Sequence, residues 1–369
     1  MSKGVLDLVG NTPIIKLRNV MPDRGAEVWL KYEAGNPTGS YKDRVAMSVL
    51  NNAIRRHDVS PGDTIVEYTG GSTGSSLAFV SAALGLKFVA VFSDAFSRSK
   101  QLTMEAFGAE VIVEESYGKG ITPELIERMK GRAMSLCDDA NAYYVDQFGS
   151  SDVTVGYEPM GQEIADALGC DVDILCASVG TGGALMGTWQ GLVKSGSKAG
   201  VVAFEPAQSP FLTTGKGGAH KVEGVGVGFE PPFLDRAVLN EIRTVDQELG
   251  FAMCRRLAKE EGIFCGGSTG LNVAGAIEIA KEMESGQRVV TLACDSGLKY
   301  LGGNIYICPD VCVVELSEQT NGLSLSASRH YSLTVNWFDL CLQSGSRIKA
   351  PITQTNSIRG PNPLKPTTR

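Results

Sequence analysis

The sequence contains little that would bind a metal ion or cross a membrane. Its three histidines, at positions 57, 220 and 330, lie far apart, and its nine cysteines include no CxxC pair. Because structural metal sites use closely spaced Cys and His ligands, we expect no metal ion. No run approaches the ~20 apolar residues of a membrane helix, and no signal peptide is recognisable, so we expect no membrane partner.

Positive charge is also scarce. The chain has 34 Lys and Arg against 41 Asp and Glu, a net charge of −7, which argues against nucleic acid as the main partner. The odd number of irregularly spaced cysteines predicts reduced thiols, so we expect a cytoplasmic protein. A hydrophobic content of 43% in 369 residues is typical of a folded protein with two domains or one large α/β unit.

The chain repeats the order strand, glycine-rich turn, helix. Runs rich in valine and isoleucine, such as VWLKYE (28–33), IVEY (65–68) and VDILCASVG (172–180), alternate with segments of helical periodicity. This order predicts an α/β fold with parallel sheets covered by helices on both faces. Ligands of such sheets bind at the carboxyl ends of the strands, so we expect the turns that follow them to face one cleft.

Three turns carry candidate functional residues. Lys42 follows NPTGSY, where a desolvated amine can act as a nucleophile, although most lysines are solvated surface residues. TGGALMG (181–187) opens a helix, and its amides would suit a phosphate or simply make a tight connection. The hydroxyls and amides of TGGSTG (69–74) suit a carboxylate, or an ordinary capped turn.

Taken together, the motifs resemble a known family. NPTGSYKDR, the turn at 69–74, GTGG (180–183) and DSG (295–297) followed by Tyr-Leu resemble, in this order, the fold-type II pyridoxal-phosphate enzymes. The similarity is greatest to the group of cysteine synthase (O-acetylserine sulfhydrylase) and cystathionine β-synthase, and it spans about residues 5–306.

The resemblance implies an architecture similar to the tryptophan synthase β subunit. Two domains would each hold a mostly parallel twisted sheet flanked by helices. The larger, residues 1–46 with 154–310, would bind the phosphate of the cofactor, and the smaller, residues 47–153, would be mobile and bind the substrate carboxylate. Residues 311–369 form an atypical tail that we expect to be disordered at its end. The resemblance also implies a homodimer.

The resemblance further implies roles for individual residues. Lys42 would form a Schiff base with pyridoxal phosphate and transfer the α-proton, and Ser296 would bond the pyridine nitrogen. The cofactor phosphate would lie on Gly180, Thr181, Gly182 and Gly183. The carboxylate of an amino-acid substrate would be bound by Thr69, Gly70, Ser72, Thr73 and Gln147, with Gly226 at the substrate entrance.

Two positions depart from the family pattern. Relatives usually have asparagine, which contacts the cofactor, where this chain has Ser72, and a hydroxyl residue where it has Ala184. The implied activity is β-replacement on a serine-derived amino acid, with O-acetylserine and sulfide giving cysteine and acetate through an aminoacrylate. Two alternatives remain open: β-elimination, as in a serine/threonine dehydratase or cysteine desulfhydrase, and a non-catalytic family member that acts as a binding protein.

Overall fold

The computed structural model describes residues 4–118, 120–140, 142–306, 315–319 and 322–326. The chain divides into two compact units, residues 1–307 and 308–369. All the motifs that carry candidate chemistry lie in the first unit.

The strands and helices alternate along the first unit, as the sequence predicts. The strands are β1 Ile14–Lys16, β2 Glu27–Tyr32, β3 Thr64–Tyr68, β4 Lys87–Ser93, β5 Glu110–Glu114, β6 Tyr143–Tyr144, β7 Ile174–Ser178, β8 Gly200–Pro206, β9 Glu241–Val245 and β10 Arg288–Ala293. The helices are α1 Lys42–Arg55, α2 Ser72–Leu84, α3 Arg98–Ala106, α4 Pro123–Ala140, α5 Asp152–Val155, α6 Glu158–Leu168, α7 Gly183–Lys194, α8 Phe211–Thr214, α9 Gln247–Arg256 and α10 Gly267–Glu282. The strands predicted around residues 28–33, 65–68 and 172–180 are confirmed.

The larger sheet has six strands in the order β1-β2-β10-β7-β8-β9. Only the β1–β2 pair is antiparallel; the pairs from β2 to β9 are parallel. Its central strands are almost continuously buried because helices cover both faces. The carboxyl ends of β10 and β7 therefore lie side by side, and this places the segments that follow them next to each other.

The smaller sheet has four parallel strands in the order β5-β4-β3-β6. Helix α2 follows β3 directly and is buried along most of its length. It ends where Gly85 adopts a left-handed conformation with φ of 70°, which a residue without a side chain adopts at little cost. A continuous apolar core includes Ile65 of β3, Leu77 of α2, Val49 of α1 and Leu175 of β7, so it contains residues of both helices and of both sheets.

The second unit is described only at two strands, β11 (Glu315–Gln319) and β12 (Gly322–Ser326). They pair antiparallel with each other. The disordered chain end predicted from composition falls on residues that lie outside the described part of the structure.

Candidate active site

Two segments that leave the larger sheet at its carboxyl edge meet at Lys42. Chain leaving β2 passes through a short 3-10 helix (Glu33–Gly35) and reaches Lys42 at the start of α1. The Tyr41 amide donates to the Cys294 carbonyl at 3.0 Å, and the Ser296 amide donates to the Gly39 carbonyl at 2.9 Å. Lys42 and Ser296, which are 254 positions apart in the sequence, therefore lie on adjoining segments.

Local hydrogen bonds fix the start of α1. The Asp43 carboxylate accepts the Thr38 amide at 2.8 Å and the Thr38 hydroxyl at 2.6 Å, which closes the turn before the helix. On the next residue, the Arg44 guanidinium forms a buried ion pair with Glu33 at 2.7 Å and another with Glu163 at 2.7 Å. Because the two residues that follow Lys42 are held in this way, the Lys42 backbone has little freedom.

The surroundings of the Lys42 amine favour its action as a nucleophile. It is half-buried, with Nζ 4.6 Å from the centre of the Tyr41 ring and 6.0 Å from that of Tyr157. Among the described residues it has no hydrogen-bond or ion-pair partner. Burial lowers the pKa of Lys42 to about 8, although the neighbouring Cys294 and Asp295 act in the opposite direction. A substantial fraction of the amine is therefore neutral, and nucleophilic, close to physiological pH.

The glycine-rich turn after β7 forms an anion site at the start of α7. Gly182 has φ of +88°, and a Cβ atom there would lie 2.7 Å from the Leu234 nitrogen. A Cβ atom at Gly180 would lie 2.3 Å from the Gly224 carbonyl oxygen, so both positions require glycine. Within the described part of the chain, no partner accepts from the amides of Thr181, Gly182, Ala184 and Leu185. Free amides at the N-terminus of a helix are suited to binding a phosphate.

Tyr157 lies near both α7 and Lys42. A Cβ atom at Gly187 on α7 would lie 2.8 Å from the Tyr157 Cβ, so Tyr157 packs closely against this helix. The centre of the Tyr157 ring is 6.0 Å from Lys42 Nζ and 5.5 Å from the centre of the Tyr41 ring. Tyr157 therefore packs against both α7 and the Lys42 segment.

The turn 69–74 has a compact hydrogen-bonded geometry. The Thr69 hydroxyl oxygen accepts the amides of Gly71 at 3.0 Å and Gly74 at 3.1 Å, so Thr69 shapes the turn from a buried position. The Thr73 hydroxyl donates to Gln147 Oε1 at 2.8 Å, and Gln147 Nε2 donates to the Tyr68 carbonyl at 2.9 Å. The structure thus brings Gln147, which follows β6, against this turn, which follows β3.

The remaining candidates lie at the edges of the same region. Gly226 donates its amide to the Val179 carbonyl at 2.9 Å, so its loop lies against the strand end that precedes Gly180. Ser296 is half-buried, and its hydroxyl oxygen accepts the Leu298 amide at 3.3 Å, which leaves its proton free to donate. Ser72 is the first residue of α2, and Ala184 lies in the first turn of α7.

The sequence analysis missed Glu67, which lies on β3 just before the turn 69–74. Glu67 is completely buried; its Oε2 accepts the Gln147 amide at 3.0 Å, and its Oε1 has no partner among the described residues. Burial raises the pKa of Glu67 from its usual 4.5 to about 8, so the side chain is mainly protonated at neutral pH. The available signal was a single acidic residue in the apolar strand TIVEY.

No group of three or more His, Cys, Asp or Glu side chains among the described residues is arranged to hold a metal ion. No helix in the described ranges is long and apolar enough to span a bilayer.

The chain is similar to known proteins in sequence and in structure. A family model described as "Pyridoxal-phosphate dependent enzyme" matches residues 5–295. A cysteine synthase of Staphylococcus aureus is 38% identical over 311 residues, which cover 83% of this chain and 97% of the relative. An O-acetylserine dependent cystathionine beta-synthase of Bacillus subtilis is 34% identical over 307 residues, which cover 82% of this chain and 97% of that relative. A crystal structure of O-ureido-L-serine synthase superposes with a TM-score of 0.78 at 32% identity, covering 84% of this chain and 96% of that chain. These matches confirm the predicted family resemblance and α/β fold.

Proposed function

The chain belongs to the family of pyridoxal-phosphate-dependent enzymes, and we propose that it catalyses β-replacement on a serine-derived amino acid. The proposed donor is O-acetylserine and the proposed nucleophile is sulfide, so that the products are cysteine and acetate. The cysteine synthases among the relatives support this choice. Because the family model and these relatives are enzymes, they favour catalysis over the binding-protein alternative.

The residues around Lys42 fit the cofactor. A cradle of glycines at 180, 182 and 183, where any Cβ atom would lie within 3 Å of neighbouring atoms, presents free amides for the phosphate. The half-buried amine of Lys42, which has a lowered pKa and no hydrogen-bond partner within the described ranges, fits the aldehyde. Ser296, next to the Lys42 segment, offers a hydroxyl proton for the pyridine nitrogen. We therefore assign the phosphate to residues 180–183 and the covalent attachment to Lys42.

When bound, pyridoxal phosphate supplies an electron sink for the negative charge that develops on the α-carbon of the amino acid. The Lys42 amine accepts the α-proton, and the bond from the β-carbon to the acetate oxygen breaks. The sulfur of hydrosulfide then bonds to the β-carbon, and Lys42 returns the proton to the α-carbon. O-acetylserine and hydrosulfide are thus converted to cysteine and acetate with no external oxidant or reductant. The observation that carries this proposal is the isolated Lys42 amine.

The turn 69–74 has the chemistry to orient the substrate carboxylate. The Ser72 hydroxyl and the backbone amides of Ser72 and Thr73 lie at the start of α2, where the helix dipole favours an anion. Gln147 holds Thr73 in place from the neighbouring strand. We propose that this turn binds the carboxylate and that residues 47–153, which include it, move as the smaller domain.

The first experiment is a visible absorption spectrum of the purified protein, before and after O-acetylserine is added. A cofactor band that shifts on addition supports both the cofactor site and the donor. Product analysis with and without sulfide then separates the reactions. Cysteine formed only with sulfide supports β-replacement, whereas pyruvate and ammonia formed without it would replace the proposal with β-elimination.

Two variants test whether Lys42 attaches the cofactor and is required for turnover. Lys42→Ala should lose covalently attached cofactor, measured by mass spectrometry after borohydride reduction, and should lose turnover. Lys281→Ala is the matched control, because Lys281 is an exposed lysine at the end of α10 and pairs only with Glu278. Turnover that survives in Lys42→Ala would overturn the assignment.

We also propose a cytoplasmic homodimer. The homodimer rests on the family resemblance, and the cytoplasmic location rests on the cysteines, of which Cys176, Cys254, Cys265 and Cys294 are buried free thiols. Light scattering of the purified protein tests the assembly, since a monomeric mass would contradict it.

A further inference from the structure

Lys100 is a buried cation that contacts three separate parts of the candidate site. It lies in the first turn of α3, and only 3% of it is exposed. Its amine forms an ion pair with the Glu223 carboxylate and lies 5.0 Å from the centre of the Tyr300 ring. Its aliphatic stem covers Gly71 so closely that a Cβ atom there would lie 2.4 Å from Lys100 Cδ.

Each of these contacts belongs to a segment with an assigned part in the site. Gly71 lies within the turn 69–74, which we propose binds the substrate carboxylate. Glu223 lies three residues before Gly226, on the loop 217–229 at the substrate entrance. Tyr300 follows Ser296, and its hydroxyl donates to Asp295 Oδ2 at 2.6 Å. One side chain of α3, the helix between β4 and β5, therefore meets two segments that connect to strands of the larger sheet.

The two partners of the ion pair differ in burial. Lys100 is buried, whereas the Glu223 side chain keeps 32% of its surface exposed. A buried cation that loses its counter-ion is destabilised far more than an exposed one, so Lys100 favours the loop position that brings Glu223 close. The cation also interacts with the face of the Tyr300 ring, which fixes the direction of its amine. No other described acidic group forms an ion pair with Lys100.

We propose that Lys100 is a positioning residue that couples the turn 69–74 to the entrance loop 217–229, so that the ion pair with Glu223 holds the loop closed over the amino-acid substrate. This inference rests on the proposed function for the identity of the substrate. The coupling itself is a property of the folded chain. It predicts that loss of the pair weakens substrate binding and leaves the chemical steps at Lys42 largely intact.

Steady-state kinetics of the cofactor-loaded enzyme test the proposal. Lys100→Met keeps the stem over Gly71 and removes the charge, and it should raise KM for the amino-acid donor about tenfold with kcat within about threefold. Lys100→Arg should restore most of the affinity. Arg98→Met is the matched control, because Arg98 lies on the same helix with its side chain 65% exposed, and it should change neither value.

A double-mutant cycle identifies the partner. Glu223→Gln should raise KM by a similar factor, and Lys100→Met combined with Glu223→Gln should add little to either single change. Additive effects in the cycle would overturn the proposal, as would an equal fall in kcat and kcat/KM. If Lys100→Met does not fold, Glu223→Gln carries the same test, because it should raise KM for the amino-acid donor and leave kcat within about threefold.

Backbone hydrogen exchange separates this inference from the proposed function. In the cofactor-loaded protein without substrate, Lys100→Met and Glu223→Gln should speed exchange in residues 217–229, while α10 exchanges as in the wild type. If exchange in residues 217–229 is faster in these variants but the protein does not act on O-acetylserine, the coupling between the turn and the loop is retained and the proposed substrate is rejected. Unchanged exchange in a protein that makes cysteine would reject the coupling and retain the substrate.

Discussion

Glu67→Gln should make the protein more stable than the wild type at neutral and alkaline pH. The structure buries Glu67 completely and leaves one of its carboxylate oxygens without a partner. Burial raises the pKa of its carboxyl to about 8, and the nearby Asp146 acts in the same direction. Glutamine has the shape of the protonated acid and can still accept the Gln147 amide, so it should keep the contact without a charge to bury.

The size of the effect follows from proton binding. Between pH 4.5 and about 8 the folded chain holds a proton on Glu67 that the unfolded chain has lost, so the free energy of unfolding falls as pH rises. The slope is about 1.4 kcal/mol per pH unit. From pH 5 to pH 7 this amounts to roughly 2.5 kcal/mol, and the loss levels off above pH 8.

Urea unfolding followed by tryptophan fluorescence, at pH 5, 6, 7 and 8, measures this difference. The stability of Glu67→Gln minus that of the wild type should increase with pH by the amount given above. Glu110→Gln serves as the matched control, because it replaces a carboxylate at an exposed position on β5 of the same sheet. A constant difference for Glu67→Gln between pH 5 and 8 would show that Glu67 is ionised in the folded protein and would refute the reasoning.

Two further predictions concern the anion site and the ion-pair network beside Lys42. Gly182→Ala should lower the melting temperature and weaken pyridoxal-phosphate retention in dialysis, because its φ is +88° and the added methyl would meet Leu234; undiminished retention would argue against a phosphate there. Burial alone would raise the pKa of Glu163, but hydrogen bonds and charges from Arg44 and Lys31 lower it to about 2. The contribution of this network to the free energy of unfolding should therefore fall by about 3 kcal/mol as the pH falls from 4.5 to about 2. Glu163→Gln should remove this dependence from acid-unfolding curves. An acid limb that is unchanged in this variant would contradict the prediction.

The sequence alone predicted the elements that local patterning controls. Apolar β-branched runs predicted strands in both sheets, and helical periodicity predicted the helices that alternate with them. Gly85 ends α2 in a left-handed conformation, which favours glycine. The motifs around Lys42, residues 69–74 and residues 180–183 were visible for the same reason, since each depends on a short contiguous stretch of chain.

Short elements were harder to predict. The strand Tyr143–Tyr144 has two residues, too few for a periodic pattern, and it is a strand because it pairs with β3. Nothing in its own residues indicates that Gln147, three positions later, will reach the turn 69–74. The parallel pairing of β3 and β6 brings the two together at one edge of the sheet.

What only the tertiary structure decided is the electrostatic state of the site. Glu67, Lys42 and Lys100 are ordinary charged residues in the sequence, and their properties depend on burial and on partners that are distant along the chain. Glu223 is 123 positions from Lys100, and Glu163 is 119 positions from Arg44. A local pattern encodes the conformation of a segment. The pKa of a group and the pairing of charges depend instead on which segments exclude water from each other, and the folded chain alone determines that.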